Sequence, residues 1–290
     1  MPPRSRDSND DATSVYQKAT FALLTQHGKE RVIGPAFDSA FAARVRLVSG
    51  FDTDALGTFT HEVPRAGTQL DAVRAKARIG MELSGLELGL ASEGSFGPGP
   101  LAFFSWNVEL VILIDARHGI EILGRAQAPA QDARVAVATR DGLDEAARRA
   151  GFPGHGLVLR AEDGTDTRLR KGLQSWSALH GAFADLKSSF PEAVLSVEND
   201  LRAHMNPTRM NNIALATADL VQRMQRACPE CGAPGFGLMS KVPGLPCRDC
   251  GEATQEVRAE LHGCVACAHR VLRGVGERLG DPASCLGCNP

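Results

Sequence analysis

The chain has no cysteine before residue 228, no GxSxG, no HExxH and no apolar run long enough to cross a membrane. Each absence closes a class. A serine hydrolase or a zincin would carry one of those two signatures, and a thiol nucleophile would have to come from the C-terminal cysteines themselves. The longest apolar stretch, Val108 to Ile114, is strand-sized and holds Glu109 in its interior. Nothing at the N-terminus reads as a secretory signal, so the expected setting is cytoplasmic, where thiols stay reduced. Surplus charge is also lacking: the formal net charge is -2 over 290 residues. Within residues 226–290 the bases Arg226, Lys241, Arg248, Arg258, Arg270, Arg273 and Arg278 are matched by Glu230, Asp249, Glu252, Glu256, Glu260, Glu277 and Asp281. Duplex nucleic acid is bound through an excess of Lys and Arg, and that balance argues against it as a partner.

What is present is concentrated at the C-terminal end. All eight cysteines fall there as four CxxC pairs: Cys228/Cys231, Cys247/Cys250, Cys264/Cys267 and Cys285/Cys288. A CxxC sets two thiolates on one turn, and two such pairs complete a tetrahedral shell, so two structural Zn2+ are the expected cofactors. The separations of 15, 13 and 17 residues suit small ribbon hairpins. Pairing consecutive units (first with second, third with fourth) is simplest, and an interleaved cross-brace (first with third, second with fourth) satisfies the same spacing. His262 and His269 flank the third pair and could substitute for a thiolate. Few large apolar side chains lie in residues 228–290, so metal binding would also supply folding free energy.

Ahead of the cysteines the pattern is that of an α/β domain, a mixed sheet flanked by helices. The expected division is a polar tail at residues 1–17, the α/β domain at 18–225 and a zinc-ribbon module at 226–290. Ala19–Thr25 and Ala43–Ser49 read as strands around a helix from Arg31 to Ala42. A helix is expected over Gln69–Ser84, then a short strand at Leu86–Ala91 that breaks into a glycine-rich loop, Ser92–Pro98, then a hairpin of Trp106–Asp115 and Gly119–Ala126. Helices near Asp144–Ala150 and Gln174–Lys187 bracket a strand at Gly156–Arg160, and Val194–Val197 is a further strand. A long helix capped by Asn206 starts at Pro207 and leads to the first CxxC.

Three polar groups fall at strand ends or loops, where an open α/β sheet places its ligands. Thr25-Gln26-His27-Gly28-Lys29 offers a hydroxyl and a lysine beside free backbone N–H groups, a setting for phosphate, although it is equally the composition of a solvated turn. Asp52, Asp54, His61, Glu62, Arg65 and Glu82 with Glu93 would hold Mg2+ if they converge, Glu93 and Glu62 being the candidate catalytic carboxylates. Arg74, Lys76 and Arg78 either meet substrate phosphates or form a helix's wet face. Arg202, His204 and Arg209 crowd a helix N-terminus whose dipole favours an anion. The competing structural reading pairs Asp200 with Arg202 or Arg209 and leaves Asn206 as a cap.

ASEGSFGP (Ala91–Pro98), RAHMNPTRM (Arg202–Met210) and the run CPECGAPGF, GLPCRDCG and CLGCNP resemble a family of uncharacterised bacterial proteins, a domain of unknown function. That resemblance implies no activity. The order of Thr25–Lys29 after a first strand, Asp71–Arg78 in an alanine- and arginine-rich helix, LGLASEGSFGP, and a long strand and hairpin is similar to the non-standard purine nucleoside triphosphate pyrophosphatases, including the inosine/xanthosine triphosphatase branch. This second resemblance implies a triphosphate at the Thr25–Lys29 turn and Mg2+ near Glu93-Gly94. His27 stands where those enzymes carry Asn, and Lys29 sits one residue early. The expectation is therefore a Mg2+-dependent hydrolase of a nucleotide or other phosphorylated small molecule, with Lys29, Arg202 and Arg209 on phosphate and Glu93 with Glu62 on metal. The rival expectation is a non-catalytic zinc-ribbon module that docks a protein or RNA partner.

Overall fold

A computed structural model describes residues 14–56, 67–98, 105–130, 134–163 and 166–289. The first strands pair as their alternation dictates: β1 (Thr20–Leu24) and β2 (Arg44–Val48) lie parallel, joined by helix α1 (Glu30–Phe41). Helix α2 (Gln69–Ser84) carries the chain back past β1, where β3 (Leu88–Pro98) pairs with it in parallel. A full capping box starts α2, Thr68 accepting from the Asp71 N–H while the Asp71 carboxylate accepts from the Thr68 N–H. β4 (Ser105–Asp115) and β5 (Ile120–Pro129) complete the sheet antiparallel, giving the order β2-β1-β3-β4-β5.

Strand alternation splits the core between two faces. Phe21, Leu23, Leu90, Val111 and Leu113 meet Ile33, Phe37 and Phe41 of α1 and Ile213, Ala216 and Leu220 of α5 (Pro207–Met224). Ala91, Ile112 and Ile114 turn the other way, onto Val73 and Ala77 of α2. Burying each large side chain contributes about 1.5–3 kcal/mol relative to leaving it in water. α5 approaches β5 closely because Gly124 has no side chain; a Cβ there would strike the Ala216 carbonyl oxygen and the Leu220 amide.

Two expectations change at this sheet. Tyr16 is fully buried, its ring 5.9 Å from those of Phe21 and Phe41, so the end of the expected 1–17 tail belongs to the fold. One aromatic side chain supplies apolar surface that the preceding polar residues lack; residues 1–13 lie outside the described ones. The expected glycine-rich loop at Ser92–Pro98 is instead the second half of β3, paired with β4 through Pro98↔Ser105. Glycine is a turn signal in sequence, but at Gly94 it marks close approach of neighbouring side chains inside a strand.

Between β5 and α5 the chain builds a second sheet, which the sequence pattern merges with the first. Its strands are β6 (Val135–Val137), β7 (Leu157–Asp163), β8 (Asp166–Leu173) and β9 (Val194–Asn199), in the order β6-β9-β7-β8 and all antiparallel. α3 (Arg140–Arg149) and α4 (Trp176–Ser189) cover it, burying Leu143, Leu159, Leu179, Leu186 and Leu195 in a core of its own. β6 has three residues, and β8 (DTRLRKGL) has too little alternation to signal a strand. The segment after β9 is tied down before α5 begins: the Asp200 N–H donates to the Gly156 carbonyl, and the Gly156 N–H to that of Met205.

α5 leads straight into the third sheet, β10 (Gly237–Pro243), β11 (Val257–Gly263) and β12 (Arg270–Gly274), antiparallel in chain order. The Arg223 guanidinium donates to the Leu238 carbonyl at 2.8 Å, and the Gly235 backbone lies against Ile122 of β5, which holds this module on the first sheet. Among the described residues no helix is long and apolar enough to cross a membrane.

Candidate functional site

β3 outruns β1. Ala22 pairs with Gly89 and Leu23 with Leu90, so Ser92, Glu93 and Gly94 continue beyond the end of β1, beside the turn that leads to Lys29. α1 leaves this point on one face of the sheet and α2 packs on the other, the topology at which α/β folds place ligands beside strand C-termini. Lys29 lies there: the side chain is buried, and Nζ donates to the Ser92 carbonyl at 3.0 Å. Burial first, then the positive charges of Arg209 and Lys76, push the Lys29 amine down to about 7 against the weaker pull of Glu109 and Glu93.

The pleat sorts the neighbouring acids. Glu93 points toward α2, where Lys76 Nζ meets its Oε2 at 2.6 Å, and both side chains are buried. Gly94 points toward α5, opposite Glu109 of β4. A Cβ on Gly94 would collide with Glu109 Oε1 and Arg209 Nη2, so the missing side chain is what lets those two meet. Arg209 Nε donates to Glu109 Oε1 at 2.7 Å, and the same oxygen accepts from Asn107 Nδ2 at 2.9 Å. Asn212 Nδ2 in turn donates to Asn107 Oδ1 at 2.8 Å. Glu109 Oε2 and Ser92 Oγ are buried with no hydrogen-bond partner among the described residues.

Lys29, Lys76 and Arg209 thus face Glu93 and Glu109, all of them buried. The local field is positive, and His27 registers it. Burial, then Lys29, His204, Arg209 and Arg202 in that order, push its imidazole down to about 3, which leaves the ring neutral at ordinary pH. The His27 ring stacks on that of His204, centroids 5.2 Å apart and 26° between planes.

The fold therefore brings together Lys29, His204, Arg209 and Glu93, with Thr25 half-buried where β1 ends. The structural reading of the third cluster holds alongside. Arg202 grips Asp200 with Nε and Nη2, and Asn206 caps α5 by accepting the Arg209 N–H. Burial raises the Asp200 carboxyl, but the bonds from Arg202 and the Gly172 N–H outweigh it and hold the group below its ordinary value. Asp52 and Glu82 are exposed, and His61, Glu62 and Arg65 lie outside the described residues. Arg74 and Arg78 pair with Glu121 at the surface, whereas Lys76, on the same helix, turns inward. Of the three helix bases with two alternative expectations, Lys76 joins the site, and Glu109 and Ser92 complete it from outside the expected set. For Glu109 a signal was available, a lone acid inside the most strand-like apolar run of the chain.

The cysteines resolve into two groups, Cys228, Cys231, Cys264 and Cys267, and Cys247, Cys250, Cys285 and Cys288, the sulfurs of each lying within 4.8 Å of one another. This is the interleaved pairing, first with third and second with fourth. Sγ···Sγ separations of 3.8 and 3.6 Å in the first group and 3.9 and 3.5 Å in the second match the edge of a tetrahedron, about 3.8 Å, with metal–sulfur bonds of zinc length. The backbone supports the thiolates: the Ala266 N–H donates to Cys264 Sγ and the His269 N–H to Cys267 Sγ. Arg270 Nη1 donates to the carbonyls of Cys264, Cys267 and His269, locking that knuckle. His262 binds Glu260 instead of joining a group. Each group can hold one metal ion, and among the described residues no carboxylate cluster of the same kind forms. In the third sheet Met239 and Leu272 are exposed, Leu272 of β12 pairing with Leu261 of β11.

The chain belongs to the family described as a domain of unknown function (DUF6671), whose model matches residues 76–290. The match takes in Lys76, Glu93, Glu109, Arg209 and all eight cysteines, and it begins after the His27–Lys29 turn. A search of curated proteins finds no match.

Proposed function

We propose that this member of the DUF6671 family binds a phosphorylated small molecule, a nucleotide foremost, at the end of β1 and hydrolyses its phosphoanhydride, while two Zn2+ held by the interleaved cysteines brace the C-terminal module. The observation that carries the reading is the buried cluster of basic groups, Lys29, Lys76 and Arg209 with Glu93 and Glu109, beside the start of α1. Lys29 occupies the N-cap position of α1 without a side-chain cap, and the positive end of that helix's dipole adds to the site, although the Arg31 and Val32 N–H groups are already bonded to the Gly28 and Lys29 carbonyls. Phosphate oxygens would exchange one favourable set of partners, water, for lysine, arginine and backbone donors held in place by the fold. In this reading Thr25, Lys29 and Arg209 hold phosphate, Arg202 and His204 border the entrance, and Glu93 serves the hydrolytic step.

The fit to metal differs between the two ends of the chain. Four thiolates and no open position suit structural zinc, which would hold the knuckles together and take no part in turnover. For Mg2+ the described residues offer no oxygen shell of their own, because Glu93 is paired with Lys76 and Glu109 with Arg209. Mg2+ is ordinarily held by one or two carboxylates plus the substrate's phosphates, so an ion would have to enter with the ligand.

Turnover is tested by following phosphate and pyrophosphate release from standard and deaminated nucleoside triphosphates with Mg2+ or Mn2+, using zinc-replete protein. Release is expected, falling at least ~100-fold in Glu93→Gln; the amide oxygen can still accept from Lys76, but the lysine's buried charge loses its partner, so the two proteins are compared well below the variant's lowered melting transition. Equal release by the variant would remove Glu93 from the step, and no release from any nucleotide would remove hydrolysis.

A further inference from the structure

The two oxygens of Glu109 are treated unequally. Oε1 accepts from both Arg209 and Asn107, whereas Oε2, on a fully buried side chain, accepts from nothing among the described residues. An unsatisfied buried carboxylate oxygen costs on the order of 1–3 kcal/mol, and such groups in native proteins usually mark a place for water or a ligand. Ser92 Oγ is in the same condition. Ser92 and Gly94 share the α5-side face of β3, and Glu109 stands directly opposite Gly94, so the two unpartnered atoms belong to diagonal neighbours on one face. Lys29 links them: it bonds the Ser92 carbonyl and lies within electrostatic reach of Glu109.

The two atoms make opposite demands. Ser92 Oγ–H can donate to a phosphate oxygen, in company with Lys29. Glu109 Oε2 can only accept, and it repels phosphate. We infer that the ligand of this site presents a hydroxyl donor to Glu109 as well as a phosphate to Lys29 and Ser92, which makes it a ribose- or sugar-bearing phosphate such as a nucleotide and not an inorganic polyphosphate. The inference rests on the phosphate site proposed above and adds the second half of the recognition. A polyphosphate would fill the cationic half and leave a bare carboxylate oxygen facing its own negative charge. A ribose hydroxyl would satisfy that oxygen with a charge-assisted hydrogen bond, the kind of contact whose loss discriminates strongly between ligands.

The test is calorimetric titration of the full zinc-loaded chain with a ribonucleoside triphosphate, its 2′,3′-dideoxy analogue and inorganic tripolyphosphate. The ribonucleotide is expected to bind about 10–100-fold more tightly than either of the others. Glu109→Gln should erase that preference, weakening the ribonucleotide relative to the dideoxy analogue and to tripolyphosphate, from which it removes a repelling charge. Its amide oxygen can keep accepting from Arg209 and Asn107 while the NH2 takes the place of the free oxygen. Equal binding of ribo and dideoxy ligands to the parent protein would overturn the inference, a water then being the occupant of Oε2, and would leave the phosphate site standing. Failure of all three ligands to bind would overturn the phosphate site and this inference with it. Because the ligand comparison needs no mutation, it decides the matter even if the variant folds poorly.

Discussion

Replacing Cys264 with serine is expected to release both zinc ions, not one. The four pairs alternate along the chain between the two sites, so the loop closed by the first site, from Cys231 to Cys264, contains Cys247 and Cys250 of the second. The loop closed by the second site, from Cys250 to Cys285, in turn contains Cys264 and Cys267 of the first. Each site, once filled, would hold the frame on which the other's ligands are mounted. Little else does, since the apolar cluster under the first site consists of Phe236 with Ala233, Val271 and the cysteines themselves. Structural zinc contributes about 10–16 kcal/mol of apparent binding free energy at neutral pH, more than a core of that size supplies. Zinc content after dialysis should fall from two ions per chain to near zero, with loss of amide protection in β10 to β12. Retention of one full equivalent would contradict the coupling, and is what two consecutive, independent ribbons would give.

The second large effect concerns Lys29 and pH. Its amine sits at about 7 in the folded chain, below the value near 10.4 of an unfolded lysine. Between those values the unfolded chain holds a proton that the native chain lacks, so stability rises with pH across that window and is lost as pH falls toward 7. The slope for one such group is up to about 1.4 kcal/mol per pH unit, and the accumulated difference is on the order of a few kcal/mol. Lys29→Met removes the titration and keeps an unbranched apolar stem in the same space. Its denaturation free energy minus that of the parent should be largest at and below pH 7 and shrink toward pH 10. Parallel stability curves for the two proteins would show that Lys29 is not held as described.

The same buried lysine shows what sequence could and could not reveal. The opening strand, helix, strand unit, α2, the β4–β5 hairpin and α5 with its Asn206 cap follow from periodicity and capping residues, which act locally. By spacing alone the eight cysteines signal two four-sulfur groups able to hold metal. Their interleaving is not legible, because consecutive and crossed pairings satisfy the same intervals and only the folding of three strands chooses between them. The second sheet is hidden for a different reason: β6 is too short and β8 too polar to stand out, although each is fixed by its neighbours. At the site, Lys29, Glu93, Arg209 and His204 are visible as polar residues at strand and helix ends. What sequence does not give is their mutual neutralisation. Lys76 reads as one of three bases that either meet phosphate or form a wet helix face, and only the register of α2 on β3 turns it, and not Arg74 or Arg78, toward Glu93.

The central claim is that an anionic ligand binds at Lys29. It is tested most directly by titrating zinc-loaded protein with a ribonucleoside triphosphate at about pH 8 in two buffers of different ionisation enthalpy. At that pH the Lys29 amine is mostly neutral, and a phosphate placed against it raises its proton affinity, so binding should take up close to one proton per site. Lys29→Met should bind about 100-fold more weakly and take up none. Binding of unchanged strength in that variant, with no proton taken up by the parent, would contradict the account.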